Sequence, residues 1–260
     1  MCVRVRLSDM GNASNKHIRL RFLPVVLAFS YAFFSPGYGY GRTAAHTHHG
    51  PQCVNRTVAD VITEIGPQAE ARIRPFFEQA GVSYPSAALA FVVLKEEREL
   101  EVWAEGDGKW VYIRTYDVLA ASGGQGPKQR QGDRQVPEGI YRIVDLNPAS
   151  RFHLSMKINY PNSYDLQKAH DEKRSNLGGD IYIHGKAKSI GCLAVGDPAI
   201  EELFVLVAKT GVNNVKVVIA PNDMRKYSPN ADMASQPPWL PDLYDTIGQE
   251  LAKFRIRGGT

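Results

Sequence analysis

The chain has 260 residues, of which 43% are hydrophobic and 22% are charged, with 23 glycines and 16 prolines. This ordinary globular composition favours one folded domain with extensions. The net charge of +4 comes from scattered residues and small clusters. The basic stripe interleaved with aromatic residues that nucleic acid requires is therefore not predicted. A mildly basic chain is instead compatible with an anionic surface.

Residues 1–35 are predicted to form a signal peptide or an N-terminal anchor. Lys16, Arg19 and Arg21 precede an apolar run from Phe22 to Phe34. The run has about the length of a signal-peptide core and is short for a membrane span. No clean cleavage site follows, so a cleaved signal and a retained anchor both stay open, beside a disordered N-terminus. Export to the periplasm or cell envelope is the expectation, with no stable membrane domain beyond this segment.

Residues 36–56 are predicted to be a flexible linker, because they are rich in Gly, Pro and His. His46, His48 and His49 could hold a metal. However, no carboxylate or close cysteine completes a ligand set, so a solvated linker is favoured. We predict no metal site and no cofactor.

Cys2, Cys53 and Cys192 are the three cysteines. Cys2 precedes the apolar run and would be lost on cleavage. Cys53 and Cys192 could form a disulfide in an exported protein, but Cys53 lies in the predicted linker. No C-x-x-C zinc spacing occurs. We therefore interpret Cys192 as a free functional thiol.

Residues 57–225 are predicted to form one folded domain that begins with helices. From Thr57 to Ala80, apolar residues recur at three- and four-residue steps. Gly66-Pro67 is expected to divide this segment into two helices, and Gly81 to end the second.

An antiparallel meander is predicted next. Ala88 to Leu94 is a continuous apolar run, typical of a buried strand, and a charged turn follows at 95–98. Apolar and polar residues then alternate over 99–104 and again over 110–115, separated by a Gly-Asp-Gly turn at 106–108.

The middle of the chain alternates between loops and strands. Ser122 to Val136 is predicted to be an exposed loop, since Gly, Gln, Lys and Arg dominate it. Pro137 and Gly139 are expected to form a turn that directs a core strand. Phe152 to Met156 continues the sheet, and Asn159 to Asp165 is predicted to be a polar, aromatic loop.

The C-terminal part is predicted to contain two helices and a strand. Asp197 is expected to cap a helix whose first residue is Pro198. Val215 to Ala220 is the last predicted strand. Residues 226–260 are interpreted as a proline-rich linker followed by a helix from Leu243 to Phe254 that packs on the sheet.

The segment from Ile181 to Cys192, I-Y-I-H-G-K-A-K-S-I-G-C, joins one imidazole to one thiol. A thiolate is the reactive form of cysteine, and its free pKa of about 8.5 leaves it mostly protonated at neutral pH. His184 could accept that proton, and Lys186 and Lys188 could favour the thiolate if they lie close. Gly191 would allow backbone amides to approach a substrate carbonyl. The alternative is an inert buried cysteine and a polar histidine at a strand end.

The pattern H-G-x-x-x-S-x-G-C over residues 184–192 resembles the catalytic signature of the L,D-transpeptidase family, the YkuD-like domain. The short spacing from His184 to Cys192 and the following Asp197-Pro198 resemble the YafK-like branch. Two other segments are similar to the family: G-D-x-x-x-P-x-G-x-Y at 132–141 and Y-P-N-x-x-D at 160–165.

The resemblance implies an α+β fold, a mainly antiparallel or mixed β sandwich with flanking N- and C-terminal helices, with 57–225 as the catalytic domain. It implies a peptidoglycan stem peptide as substrate and no cofactor. The site residues that we predict are Cys192 as nucleophile, His184 as proton donor and acceptor, Gly191, Ser189 and Gly185 for the oxyanion or for positioning, and Tyr160, Asn162 and Tyr182 for substrate binding.

Two positions depart from the broad family. Ile190 replaces the histidine of its S-H-G-C motif, and Ala194 stands where an arginine is usual. The YafK-like branch shares both departures, so catalysis is still expected with His184 as the base. An amine acceptor would give L,D-transpeptidation, whereas water would give an L,D-endopeptidase or amidase. An inactive peptidoglycan-binding module, and a metal-binding protein that uses the N-terminal histidines, are the remaining alternatives.

Overall fold

The computed structural model describes residues 56–229 and 236–255, which all belong to one compact unit, Asn55–Thr260. The predicted signal or anchor, nearly all of the predicted linker and the three N-terminal histidines lie outside the described residues. Within the described ranges, no helix is long and apolar enough to span a bilayer.

Two helices precede the sheet, as predicted. Helix α1 spans Val58–Glu64 and begins with a capping box, in which Thr57 and Asp60 each accept a hydrogen bond from the other's backbone N–H. Helix α2 spans Gly66–Ala80 and ends at Gly81, whose φ of 68° lies in the left-handed region that glycine adopts readily.

Eight strands form one mixed sheet, in the order β3-β2-β1-β8-β4-β5-β6-β7. The pairs β1–β8 and β6–β7 are parallel, and the other neighbours are antiparallel. The predicted meander of β1, β2 and β3 is confirmed. The strands are β1 (Leu89–Leu94), β2 (Glu99–Gly106), β3 (Lys109–Asp117), β4 (Gly139–Ser150), β5 (His153–Ile158), β6 (Tyr182–His184), β7 (Leu193–Ala194) and β8 (Val215–Ala220).

Strand β1 is buried on both faces, which accounts for its uninterrupted apolar sequence. Leu89, Phe91 and Val93 enter the main core, whereas the residues between them join a second cluster. That second cluster contains the apolar face of helix α5, Leu240–Leu251. The prediction that a C-terminal helix packs on the sheet is confirmed, with bounds three residues earlier than expected.

Strand β4 connects two sections of the sheet, one formed by β3, β2, β1 and β8 and the other by β5, β6 and β7. Its residues 139–142 pair with β8, and its residues 143–150 pair with β5. Helix α4, Asp197–Thr210, is buried along most of its length and contacts α2 and β5. Ala194 of β7 also bridges to Ala120, just beyond β3. Both sections therefore share one core with α4, and the predicted α+β class is confirmed.

Helix α3, Ser163–Asp171, corrects the prediction that 159–165 ends in a loop. Its N-terminus is a capping box in which Asn162 accepts from two backbone N–H groups and Asp165 accepts from the N–H of Asn162. Only Ala169 of this helix is buried. The helical spacing of apolar residues was therefore too weak to predict this helix.

Two smaller predictions also need correction. The N-cap of α4 is Gly196, not Asp197, and no side chain caps that helix. The loop from Ser122 to Val136 is not wholly exposed, since Gly126, Pro127 and Lys128 are buried. Long-range hydrogen bonds, described below, hold the loop against the domain.

Candidate active site

The predicted histidine and cysteine lie on neighbouring parallel strands. His184 is the last residue of β6, and Cys192 immediately precedes β7. Ile183 pairs with Leu193 and His184 with Ala194. Continuing that register sets Cys192 beside Tyr182, on the side of β6 from which His184 also projects. The short loop thus brings the two side chains to the same edge of the sheet.

The imidazole of His184 is buried, with 2% of the residue exposed. Its Nδ1 lies 2.6 Å from the carbonyl oxygen of Gly185, which can only accept, so the hydrogen-bond network assigns the proton to Nδ1. Nε2 is then left with a free lone pair. Burial lowers the pKa of His184, and the ring contacts that of Phe152 at 4.4 Å between centroids. The ring is therefore neutral near pH 7.

Cys192 is half-buried and carries a free thiol. Its Sγ donates to the carbonyl oxygen of Asp180 at 3.7 Å. Among the hydrogen bonds of the described residues, none joins this thiol to His184. Rotation about the Cα–Cβ bond of Cys192 would be needed to redirect the thiol from Asp180.

The pKa of the Cys192 thiol is raised by burial, although a hydrogen bond from the backbone of Tyr182 and the charge of Lys128 lower it. This direction is opposite to the sequence-based expectation of a stabilised thiolate. The expected lysine effect fails for a specific reason. The Nζ of Lys186 donates to the carbonyl oxygen of Arg151 at 2.9 Å and not to the thiol.

The turn before Cys192 is held by two serine hydroxyls. Ser189 accepts from the N–H of Cys192 at 2.9 Å and donates to its carbonyl oxygen at 2.6 Å. Ser122 accepts from the N–H of Gly191 at 2.6 Å. Gly191 has a φ of 94°, a conformation that side chains rarely adopt. The N–H groups of Gly191, which was predicted to contribute to an oxyanion site, and of Cys192 are therefore already paired in this structure.

Gly185 has a steric reason to be glycine. A Cβ there would lie 2.6 Å from both Oδ1 of Asp197 and the carbonyl oxygen of Phe152. The same Asp197 oxygen accepts from the N–H of Lys186 at 2.8 Å. Asp197, which does not cap its own helix, thus fixes the Gly185-Lys186 turn and hence the carbonyl group that orients His184.

Of the three predicted substrate-binding residues, two make structural hydrogen bonds. Tyr160 is 3% exposed, and its hydroxyl lies within hydrogen-bond distance of the carbonyl oxygens of Lys128 and Leu177. Asn162 is occupied as the cap of α3, and its Nδ2 donates to Ile140. Tyr182, half-buried beside Cys192, stays available at the site.

Sequence reasoning missed Ser122, Phe152 and Asp180, which contact the turn, the imidazole and the thiol. No local motif signals them, because each contact joins separate segments of the chain. Asp133, in the family-like segment 132–141, accepts from three backbone N–H groups and from Lys128. In the described part of the chain, no group of three or more His, Cys, Asp or Glu residues could hold a metal ion.

In this site, one strand ends at a histidine and its parallel neighbour begins directly after an S-x-G-C turn. This arrangement agrees with the family that the sequence motif resembled. The sequence model of the L,D-transpeptidase catalytic domain, YkuD, matches residues 88–219, half of the chain. The chain belongs to this family. The match includes seven strands completely, β8 except for Ala220, and the site described above.

One relative is the Escherichia coli K12 protein named "Putative L,D-transpeptidase YafK", which is 37% identical over 134 residues. The aligned region covers 50% of this chain and 52% of the relative, so the chain spans about half the length of the curated relatives that it matches. The protein of the same name from Escherichia coli O157:H7 matches equally.

Solved structures are more distant. The helical cell shape determining protein Pgp2 of Campylobacter jejuni has a TM-score of 0.44 and 21% identity, over 57% of this chain and 55% of that one. Bd1075 of Bdellovibrio bacteriovorus has a TM-score of 0.39 and 20% identity, over 66% and 57%. L,D-transpeptidase 1 of Mycobacterium tuberculosis has a TM-score of 0.31 and 13% identity, over 51% and 62%.

Proposed function

We propose that this chain is a cysteine acyl-transfer enzyme of the cell wall that performs L,D-transpeptidation on peptidoglycan stem peptides. The observation that carries the proposal is the β6–β7 pair, in which the base His184 ends one strand and the nucleophile Cys192 precedes its parallel neighbour. Membership of the YkuD family supports the reaction class.

The first step forms a bond between Sγ of Cys192 and the carbonyl carbon of the peptide. Burial raises the pKa of the thiol and lowers that of His184, so both groups are neutral at rest. Nε2 of His184 accepts the thiol proton during the attack and delivers it to the leaving amine as the C–N bond breaks. The carbonyl oxygen of Gly185, bonded to Nδ1, stabilises the transient imidazolium.

Ser189, Gly185 and Gly191 act in this proposal as positioning residues. The N–H groups of Gly191 and Cys192 are aligned by Ser122 and Ser189. To bind the oxyanion they must exchange these hydroxyl acceptors for the more strongly charged oxygen. Tyr182 is the proposed contact to the peptide beside the thiol.

The fate of the acyl-enzyme depends on the acceptor. An amine that attacks the thioester restores an amide and frees the thiol, whereas water releases a carboxylic acid. A specific feature favours hydrolysis as the second candidate: Ile190, at the position of the family's motif histidine, is 78% exposed next to the thiol. Neither Ile190 nor Ala194 offers a polar group to an incoming amine.

The test is mass spectrometry of the purified protein with tetrapeptide muropeptides, with and without an added D-amino acid, beside Cys192→Ala. We expect cross-linked or exchanged peptides that require Cys192. Shortened peptides without a new amide would establish the hydrolase instead. Retained binding to sacculi by both proteins, with no product and no mass shift on Cys192, would identify an inactive binding module.

The cellular location follows from the same proposal. A substrate of this kind lies outside the cytoplasmic membrane, and the basic residues followed by an apolar run at the N-terminus are typical of exported proteins. We therefore propose a periplasmic or envelope location. Protease accessibility in spheroplasts, with and without residues 1–35, tests it.

A further inference from the structure

A polar cleft of about 690 Å³ lies between the loop 125–135 and residues 173–176. Its volume is within the range of small-molecule and peptide-side-chain sites. The two walls are tied together, because the N–H of Gln131 donates to the carbonyl oxygen of Asn176 at 2.9 Å, and Arg174 donates to that of Gln129 at 2.7 Å. The cleft is therefore formed by segments that hold each other in place.

The charges in this cleft are not balanced. Among the residues that the structure describes, three cations line it, Arg130, Lys173 and Arg174, against one anion, Asp133. The anion is already neutralised, since Asp133 accepts from Lys128 at 2.5 Å and from three backbone N–H groups. Arg174 is paired with Glu172 at 2.6 Å.

Arg130 and Lys173 are the uncompensated cations. Both are exposed, and neither side chain has a hydrogen-bond or ion-pair partner among the residues that the structure describes. Surface lysines and arginines are often free, so their freedom alone would indicate nothing. Their position is informative, because they flank one cleft in which the only carboxylate of a described residue, Asp133, is occupied.

The cleft adjoins the candidate active site. Gln135 lines it, and the carbonyl oxygen of Gln135 lies 3.7 Å from the point where Gly191 would carry a Cβ. Lys128, buried in the same loop, has a charge that lowers the pKa of the Cys192 thiol. A peptide whose carbonyl group reaches Cys192 can thus extend a neighbouring residue into the cleft.

We propose that this cleft is a subsite for a free carboxylate of the peptide substrate, bound by Arg130 and Lys173. The inference rests on the proposed function, and it specifies which part of the peptide is recognised: an anionic group away from the bond that is broken. Arg130 contributes a planar pair of N–H donors that matches a carboxylate, and Lys173 a compact positive charge.

The experiment measures binding and needs no turnover. Cys192→Ala protein is titrated with a stem-type tetrapeptide that has free carboxylates, and with versions in which one carboxylate at a time is a carboxamide. We expect one carboxamide to weaken binding about tenfold, in the range of charge-assisted contacts. The double variant Arg130→Gln, Lys173→Gln should bind the peptide with free carboxylates about tenfold more weakly than the parent does. It should also bind that peptide and the sensitive carboxamide with equal affinity.

Lys109→Gln, an exposed lysine at the start of β3, is the matched control and should bind like the parent. Equal losses in the control and in the cleft variants would overturn the subsite, because they would reveal a general charge effect. Equal affinity for the free and amidated peptides, or no binding of either, would also overturn it. If acyl transfer fails while carboxylate-dependent binding persists, the proposed reaction is wrong and the subsite stands.

Discussion

Lys95→Met is expected to destabilise the domain through a buried ion pair that anchors the loop over the site. The side chain of Lys95 is 6% exposed, and its Nζ lies 2.7 Å from Glu138, whose side chain is fully buried. Lys95 also donates to the carbonyl oxygens of Gly126 and Val136. Glu138 accepts in turn from the N–H of Gly126 and from Tyr244 of α5.

The magnitude follows from what the substitution leaves behind. Methionine fills most of the space of lysine, so the main cost is an unpaired carboxylate in the protein interior. Breaking a buried pair in this way costs about 3–5 kcal/mol. In a domain of this size, that corresponds to a fall in Tm of roughly 10 °C. Burial lowers the pKa of Lys95, so the ammonium itself is desolvated at a cost, and the lower end of the range is the better expectation.

Urea unfolding followed by tryptophan fluorescence measures the change, with two comparison variants. Adding Glu138→Gln to Lys95→Met removes the stranded charge but keeps an acceptor, and should restore about 1–2 kcal/mol. Lys157→Met breaks an exposed pair with Asp180 and should cost no more than about 1 kcal/mol. A cost below about 1 kcal/mol for Lys95→Met, or no recovery with Glu138→Gln, would refute the argument.

Four further outcomes are expected. His184→Ala should lower turnover of a tetrapeptide about 100-fold or more, because the base is lost; near-wild-type turnover would identify another base. Alkylation of Cys192, followed by peptide mass spectrometry, should show an apparent pKa above the free value of about 8.5, since burial raises it; a lower midpoint would contradict this. Ser122→Ala should lower kcat about fivefold, because the turn loses the hydroxyl that aligns Gly191, and Ser122→Thr, which keeps a hydroxyl, should not; equal kcat values for the two variants would contradict the positioning role. Burial raises the pKa of Asp165 to about 6, so the folded state holds this proton more tightly than the unfolded state, and stability should fall by about 2 kcal/mol as pH rises from 4 to 6. Asp165→Asn should flatten that part of the urea-midpoint profile, and an unchanged slope would exclude Asp165 as its cause.

The Lys95–Glu138 pair is also connected to the turn that holds Cys192. Cys192 and Ser189 belong to one turn, while Ser122 comes from the loop that the Lys95–Glu138 pair anchors. Lys95→Met should therefore lower the activity of the protein even where the protein stays folded. A contact just after β1 is thereby connected to the geometry of the turn that holds Cys192.

Much of the architecture could be predicted because it rests on short-range patterns. The two-sided burial of β1 requires an unbroken apolar run, and the meander that follows has charged and glycine turns at its ends. The division of the first helical segment at Gly66-Pro67 follows from local backbone preferences. Helix α3 was not predicted, because it depends on a capping box and buries almost no apolar face.

The sequence by itself determined that one histidine and one cysteine lie at the two ends of one short turn, since only seven residues separate His184 from Cys192. The tertiary structure decided the chemistry of that turn. Ser122 reaches Gly191 across 69 positions of sequence, and burial by distant segments raises the thiol pKa that the nearby lysines were expected to lower. Tyr160 and Asn162 likewise turned inward to hydrogen-bond the backbone. Solvation and long-range partners are properties of the packed chain, and no local spacing records them.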